Sequence, residues 1–463
     1  MCSSDLKNSD ANMRKVAQEF ESLFLGEMLK SMRKATDVME ALASNGVPTA
    51  LFLGIPDEAM LERFKDCRAI GIAGTSRSET PRWMDEHLTP QFKWLQNLDA
   101  PICHYKVCST FDSSPRVGSI GKAIEIGKAL FEQSVVPVIV GAPQLKRYTA
   151  FGHLFAAYQG RVFRIDRHPV MSRHPVTPMD EADLAAHLSK QTSLHVGLAD
   201  LVTIRAADAD ERIDKLAAAG ETILLLDVDG PETQAAAGHQ LWRLASKGNA
   251  FIAGSSGIEY ALFNVWRNAG LIGEKPDFAT PGKVDRLAVV SGSVSPTTER
   301  QIRHAMAEGF DCVDLDPLAL IGEHAAQTLD AAVATGMASL KAGRSVILHT
   351  ALGPSADRGG DIDRIPDARH HLGQALGTIL RRLIEQENLG RAVIAGGDTS
   401  SHALKELRVE ALTTLLPLPQ TPGSPLCSAH GGYAPTNGLQ IALKGGQVGT
   451  DDYFAQIRAG RAS

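Results

Sequence analysis

In Ala392-Val-Ile-Ala-Gly-Gly-Asp-Thr-Ser-Ser-His-Ala-Leu-Lys-Glu-Leu407 an apolar run is followed by two glycines, then hydroxyl side chains and a helix-forming stretch. A strand at 392–395, a tight turn and a helix at 401–407 make up the repeating part of a parallel βαβ architecture. The same succession extends outward from this point. In the same half, 287–291, 345–350 and 439–443 read as strands, with helices at 297–308, 327–341 and 370–386. Earlier in the chain, strands at 49–53, 70–73, 103–107, 136–140, 223–227 and 251–253 alternate with helices such as 122–132 and 181–190. Between the two series lies Gly270-Leu-Ile-Gly-Glu-Lys-Pro-Asp-Phe-Ala-Thr-Pro-Gly282, whose glycines, prolines and polar residues suit an interdomain linker. The expectation is an α/β protein of two three-layer domains with mainly parallel sheets and a cleft between them. The domains are expected at 36–270 and 284–463, with the linker at 271–283.

A chain of 463 residues is too long for one ordinary core, and 44% apolar content is too high for disorder. The formal charge of −6 gives no general pull on nucleic acid or anionic lipid, so neither is expected as a partner. No apolar run reaches the length of a membrane-spanning helix, and the start lacks the pattern of a signal peptide. A soluble, cytoplasmic protein is therefore expected. Cys2, Cys67, Cys103, Cys108, Cys312 and Cys427 are scattered without a Cys-x-x-Cys pair. Buried thiols are expected from that spacing, and no metal site.

The first 35 residues do not follow the alternation. In Val16-Ala-Gln-Glu-Phe-Glu-Ser-Leu-Phe-Leu-Gly-Glu-Met-Leu-Lys-Ser-Met32 the apolar positions 16, 20, 23, 24, 28 and 32 keep helical spacing. A second helix at 36–44 follows, and the first convincing strand starts only at Thr49.

No Gly-x-x-x-x-Gly-Lys-Ser/Thr sequence occurs, which excludes a P-loop of the usual type, and no Gly-x-Gly-x-x-Gly opens a dinucleotide-binding unit. The turn at Gly396, Gly397, Asp398 and Thr399 is the best anion cradle, because glycines admit close backbone approach and a helix start presents N–H donors. The same residues equally describe a glycine turn with a Thr/Ser cap. Ser291-Gly-Ser-Val-Ser-Pro296, His349-Thr-Ala-Leu-Gly-Pro354 and Lys444-Gly-Gly-Gln-Val-Gly449 end other strands in a similar way, with Lys444 expected to supply positive charge. Their joint occurrence favours ligand binding, because the carboxyl ends of parallel strands gather on one sheet edge.

The earlier half carries different chemistry. Gly74-Thr-Ser-Arg-Ser78 and Lys106-Val-Cys-Ser-Thr-Phe-Asp-Ser113 each follow a strand. Arg77 can grip a carboxylate in two-pronged fashion, Lys106 adds a point charge, and Ser109 and Thr110 can bond sugar hydroxyls. That set suits a small polyhydroxy acid; solvated charges and turn caps are the alternative. In Arg164-Ile-Asp-Arg-His-Pro-Val-Met-Ser-Arg-His-Pro175 the two histidines sit six apart in a Pro-bearing loop, which favours an anion-facing loop over a metal site.

Together with Gly254-Ser-Ser-Gly257, these motifs resemble the four-carbon acid sugar kinase family, ATP-dependent enzymes that phosphorylate small sugar acids. The resemblance runs from about Thr36 to the C-terminus. It implies an acid-binding first domain, an ATP-binding second domain, and ATP with Mg²⁺ as cofactors. It also implies ATP contacts from Ser291, Ser293, Gly396, Gly397, Asp398, Thr399, Gly446 and Gly449. A homo-oligomer is a further partner class to test. The Cys108-Ser-Thr-Phe-Asp-Ser113 run looks closer to the 3-oxo-tetronate and 3-oxo-isoapionate kinases than to the threonate kinases. Family members open with a strand and an Asp-Asp-x-Thr-Gly loop whose carboxylates bind or activate substrate, and the helix after it matches Thr36-Asp-Val-Met-Glu-Ala-Leu42. In place of that strand and loop, residues 16–35 look like the N-terminal region of a bacterial flagellar rod-assembly protein, which leaves Asp37 as the nearest remnant. The switch near Lys34 reads as a splice or a fusion. The expectation is retained nucleotide binding with weak or absent turnover, the alternatives being an inactive nucleotide-binding protein and a flagellar-associated fusion.

Overall fold

The computed structural model describes residues 35–462 other than 175, 246, 247, 363 and 422, with the backbone alone at 397–401. The flagellar-like reading of residues 16–34, and Cys2, lie outside the described residues. The chain divides into two compact units, one at Thr75–Lys275 and one combining the described residues up to Gly74 with those from Pro276 onward.

The earliest described residues, 35–44, form a helix, and two short strands follow, β1 (Thr49–Phe52) and β2 (Ala69–Ile72). The sequence places these strands at the head of the first domain. In the structure β1 instead pairs antiparallel with a strand near residue 413 (Ala50↔Thr413, Phe52↔Ala411) and parallel with β2, so both belong to the sheet built by the C-terminal half. Apolar runs this short fit any sheet with an open edge, so their partner is a tertiary choice.

Within Thr75–Lys275, β3 (Ile102–Lys106), β4 (Val136–Ile139), β8 (Val196–Ala199), β9 (Ile223–Leu226) and β10 (Ala250–Gly254) form a parallel sheet in the order β3-β10-β4-β9-β8. A small antiparallel sheet, β5 (Arg147–Ala150), β6 (His153–Tyr158) and β7 (Arg161–Arg164), is inserted after β4. The Ile-Leu-Leu-Leu run of β9 is buried throughout, as a strand covered on both faces requires. Ile223 and Leu225 face helices Pro81–Gln96 and Ile120–Leu130, whereas Leu224 and Leu226 face helices Pro231–Ala245 and Gly257–Asn268. Thr80 caps the first of these helices by accepting the Trp83 N–H at 3.3 Å, with Pro81 in its first turn.

The second unit adds β11 (Ala288–Ser291), β12 (Asp311–Asp314), β13 (Val346–His349), β14 (Arg391–Ala395), β15 (Ala411–Leu416), β16 (Leu426–His430) and β17 (Gln440–Lys444). Its nine-stranded sheet runs β12-β13-β11-β14-β17-β16-β15-β1-β2, with the first five strands parallel. Helices Pro296–Ala307 and Tyr453–Ala459 cover one face, and Ala325–Lys341, Ala368–Glu387 and Gly397–Glu406 the other. The expected class, α/β with two three-layer domains and mainly parallel sheets, is what the structure has.

Candidate functional site

In the nine-stranded sheet the carboxyl ends of the parallel strands align in one rung: Asp314 opposite His349, His349 opposite Ser291, Ser291 opposite Ala395, and Ala395 opposite Lys444. The four turns picked out from the sequence therefore leave the sheet side by side. Gly396 follows β14 with φ +118, and Gly397, Asp398 and Thr399 open the first turn of helix Gly397–Glu406, where backbone N–H groups lack partners within the helix. After β11, Ser293 Oγ lies 3.1 Å from Thr298 Oγ1, and Thr298 Oγ1 donates to the Gly446 carbonyl at 3.0 Å. Ser291, Ser293, Gly396 and Gly446 thus meet at one edge. Gly449 packs one step further on, against Gln301 and the Tyr453 ring.

Lys444 departs from expectation. Its side chain is fully buried and its ammonium donates to Thr298 Oγ1 and the Gly445 carbonyl, both at 2.9 Å. The charge braces the loop from beneath. His349 is buried in the same row with its Nδ1 3.5 Å from Asp314 Oδ1, and burial lowers its pKa.

The helix at 35–44 is tied to this unit by Glu40, whose carboxylate accepts the Leu418 and Gly423 N–H groups at 2.9 and 2.6 Å. Thr36 Oγ1 donates to the Gly423 carbonyl at 2.9 Å. Asp37, which the sequence reading takes as the nearest remnant of an acidic loop, accordingly sits in the unit that carries the glycine turns.

In the other unit Lys106 ends β3, and the residues after it fold into a tight loop. Arg77 and Thr110 both donate to Asp112, which also accepts from Thr177 Oγ1 at 3.0 Å. Burial opposes ionisation of Asp112, yet the Arg77 guanidinium and the Thr110 hydroxyl outweigh it and hold the carboxyl below its ordinary value. Next in sequence, Ser113 Oγ bonds His187 Nε2 at 2.8 Å and accepts from Gln191 at 2.9 Å. Burial pushes the His187 pKa down to about 4, so this imidazole is neutral at physiological pH. Ser109 is half-buried in the turn between Lys106 and Asp112. The structure thus joins Arg77 and Thr110 through a residue the sequence reading quoted without giving it a role. Asp112, Thr177 and His187 were missed because they meet only in the fold.

Two domain profiles match the chain: a sugar-binding N-terminal domain over residues 35–262 and a nucleotide-binding C-terminal domain over residues 288–454. The 3-oxo-isoapionate kinase of Paraburkholderia graminis is 44% identical over 436 residues, covering 92% of both chains. The chain belongs to the four-carbon acid sugar kinase family. The 3-oxo-tetronate kinase of Cupriavidus necator is 28% identical over 434 residues, covering 93% of this chain and 95% of its own. A Haemophilus influenzae crystal structure shares the fold at TM-score 0.73 and 22% identity, covering 92% of this chain and 97% of its own. Like its relatives, this family member is a sugar-acid kinase, a phosphotransferase, and its nucleotide-binding domain and kinase relatives imply ATP. None of the relatives named here is a flagellar protein. Among the described residues no helix is long and apolar enough to cross a membrane.

Proposed function

We propose that this cytoplasmic kinase transfers the γ-phosphate of ATP to a hydroxyl of a small 3-oxo sugar acid of the 3-oxo-isoapionate type. The 44% identity to a 3-oxo-isoapionate kinase across 92% of both chains carries this reading. Arg77 and Lys106 would hold the acid's carboxylate, and Ser109 and Thr110 its hydroxyls. Ser291, Ser293, Gly396, Gly397, Asp398, Thr399, Gly446 and Gly449 would hold the nucleotide, with backbone N–H groups at the helix start meeting phosphate oxygens. Phosphoryl transfer depends mostly on positioning and on stabilising charge that spreads over the γ-phosphate oxygens.

Among the described residues no group of three His, Cys, Asp or Glu side chains could hold a metal unaided. Mg²⁺ in kinases binds mainly through substrate phosphates with one or two carboxylates. Asp314, exposed at the end of β12, is a carboxylate at this edge that would suit that role. The ion would neutralise phosphate charge when bound.

The test is an ADP-coupled assay with ATP, Mg²⁺ and a panel of four- and five-carbon acids. Turnover fastest with the branched 3-oxo acid supports the proposal. ATP binding by calorimetry without turnover on any acid would return the chain to the inactive nucleotide-binding reading.

A further inference from the structure

We propose that Asp112 is a positioning residue for the acid substrate: it holds Arg77 and Thr110 in the orientation in which they receive the carboxylated ligand. This rests on the reading that the Thr75–Lys275 unit binds the sugar acid. The Asp112 side chain is fully buried and gathers donors from three separate segments. Arg77 comes from the turn at Ser76–Ser78, Thr110 from the loop after β3, and Thr177 from a loop far along the chain. Ser76 Oγ bonds the Tyr105 hydroxyl at 3.0 Å, Thr177 Oγ1 lies 3.2 Å from His174 Nδ1, and Ser113 is held by His187 and Gln191. Phe111, fully buried, takes φ +54, a left-handed conformation that a bulky side chain adopts only when its surroundings impose it.

Such an arrangement is a poor choice for stability alone, because a buried ion pair is commonly no better than well-packed apolar residues of the same volume. It is a good choice for recognition. A long, rotamer-rich side chain loses conformational freedom when a ligand immobilises it, and an arginine already fixed by a carboxylate avoids that cost. Thr110 likewise has its only proton committed to Asp112, so towards a ligand its oxygen can act only as an acceptor from a sugar O–H. Asp112 therefore sets both the aim of the cation and the hydrogen-bond polarity of the hydroxyl.

The experiment measures acid affinity by calorimetry and steady-state KM for acid and ATP, in the full chain and in Asp112→Asn. The expected result is an acid Kd and KM raised roughly 10-fold with ATP KM within about twofold, and a clearly smaller acid effect of Asp112→Asn in an Arg77→Ala background, where only the branch through Thr110 remains. Thr177→Val, which removes one donor and no charge, is expected to raise acid Kd about 3-fold, and it carries the test if Asp112→Asn does not fold. An unchanged acid Kd in a folded variant overturns the proposal, as does a lowered active fraction with both KM values intact. Calorimetry separates the two hypotheses: acid binding without turnover refutes the kinase reading and still tests Asp112, whereas no acid binding by the wild type refutes both.

Discussion

Gly446→Ala tests the proposed nucleotide edge at a close approach between two of its loops. An added Cβ would lie 2.9 Å from Ser293 Oγ and 3.3 Å from Ser295 Cβ. Ser293 Oγ cannot simply swing away, because it bonds Thr298 Oγ1 at 3.1 Å and accepts the Ser295 N–H at 3.3 Å. Relief requires a shift of about half an ångström in a loop whose carbonyl also receives the Thr298 hydroxyl, so roughly one hydrogen bond of about 1 kcal/mol and 1–3 kcal/mol of overpacking strain are at stake. ATP KM should rise about 5- to 20-fold while acid KM stays within twofold. Ser293→Ala removes the obstructing oxygen, so in a double-mutant cycle Gly446→Ala should cost clearly less in that background. A Gly446→Ala enzyme with wild-type ATP KM, or strict additivity with Ser293→Ala, would refute the reasoning.

Gly118 gives the matching test on the acid side. Its φ is +62 and a Cβ would lie 2.2 Å from the Arg77 carbonyl, so Gly118→Ala should displace the Arg77 turn and raise acid KM several-fold, leaving ATP KM unchanged in the same assay. Burial lifts the Glu40 pKa from its ordinary 4.5 to about 7 against the Leu418 and Gly423 N–H groups. With the folded value above the unfolded one, the stability this group contributes is present below about pH 4.5 and lost as pH rises through 7. Across that window urea titrations should show wild type losing up to about 3 kcal/mol relative to Glu40→Gln, and parallel profiles would contradict the assignment. Arg391, fully buried, joins the Gly282, Ile457 and Gln440 oxygens, so Arg391→Met should lower the urea midpoint by an amount equal to about 3 kcal/mol or more.

The alternation of strands and helices was legible wherever a strand is buried on both faces, as in Ile223–Leu226 and Val346–His349, because burial on both sides forces an unbroken apolar run. It was not legible in β12, where Asp-Cys-Val-Asp lies at the sheet edge and keeps charged ends in water, nor in the hairpin strands β5 to β7. Sheet membership was hidden too. Nothing local in Thr-Ala-Leu-Phe announces that β1 pairs with a strand more than 350 residues later. The glycine turns were readable because a tight strand-to-helix turn favours small residues and hydroxyls that stand together in the sequence. Asp112 and Glu40 were not, because their partners Thr177 and Leu418 lie 65 and 378 residues away.

The most direct measurement is ³¹P NMR of the full chain incubated with ATP, Mg²⁺ and 3-oxo-isoapionate. The account predicts that the γ-phosphate resonance declines as ADP and a new sugar-acid phosphomonoester appear in equal amounts. Free inorganic phosphate as the sole product, or no loss of ATP while the acid is bound, would contradict it.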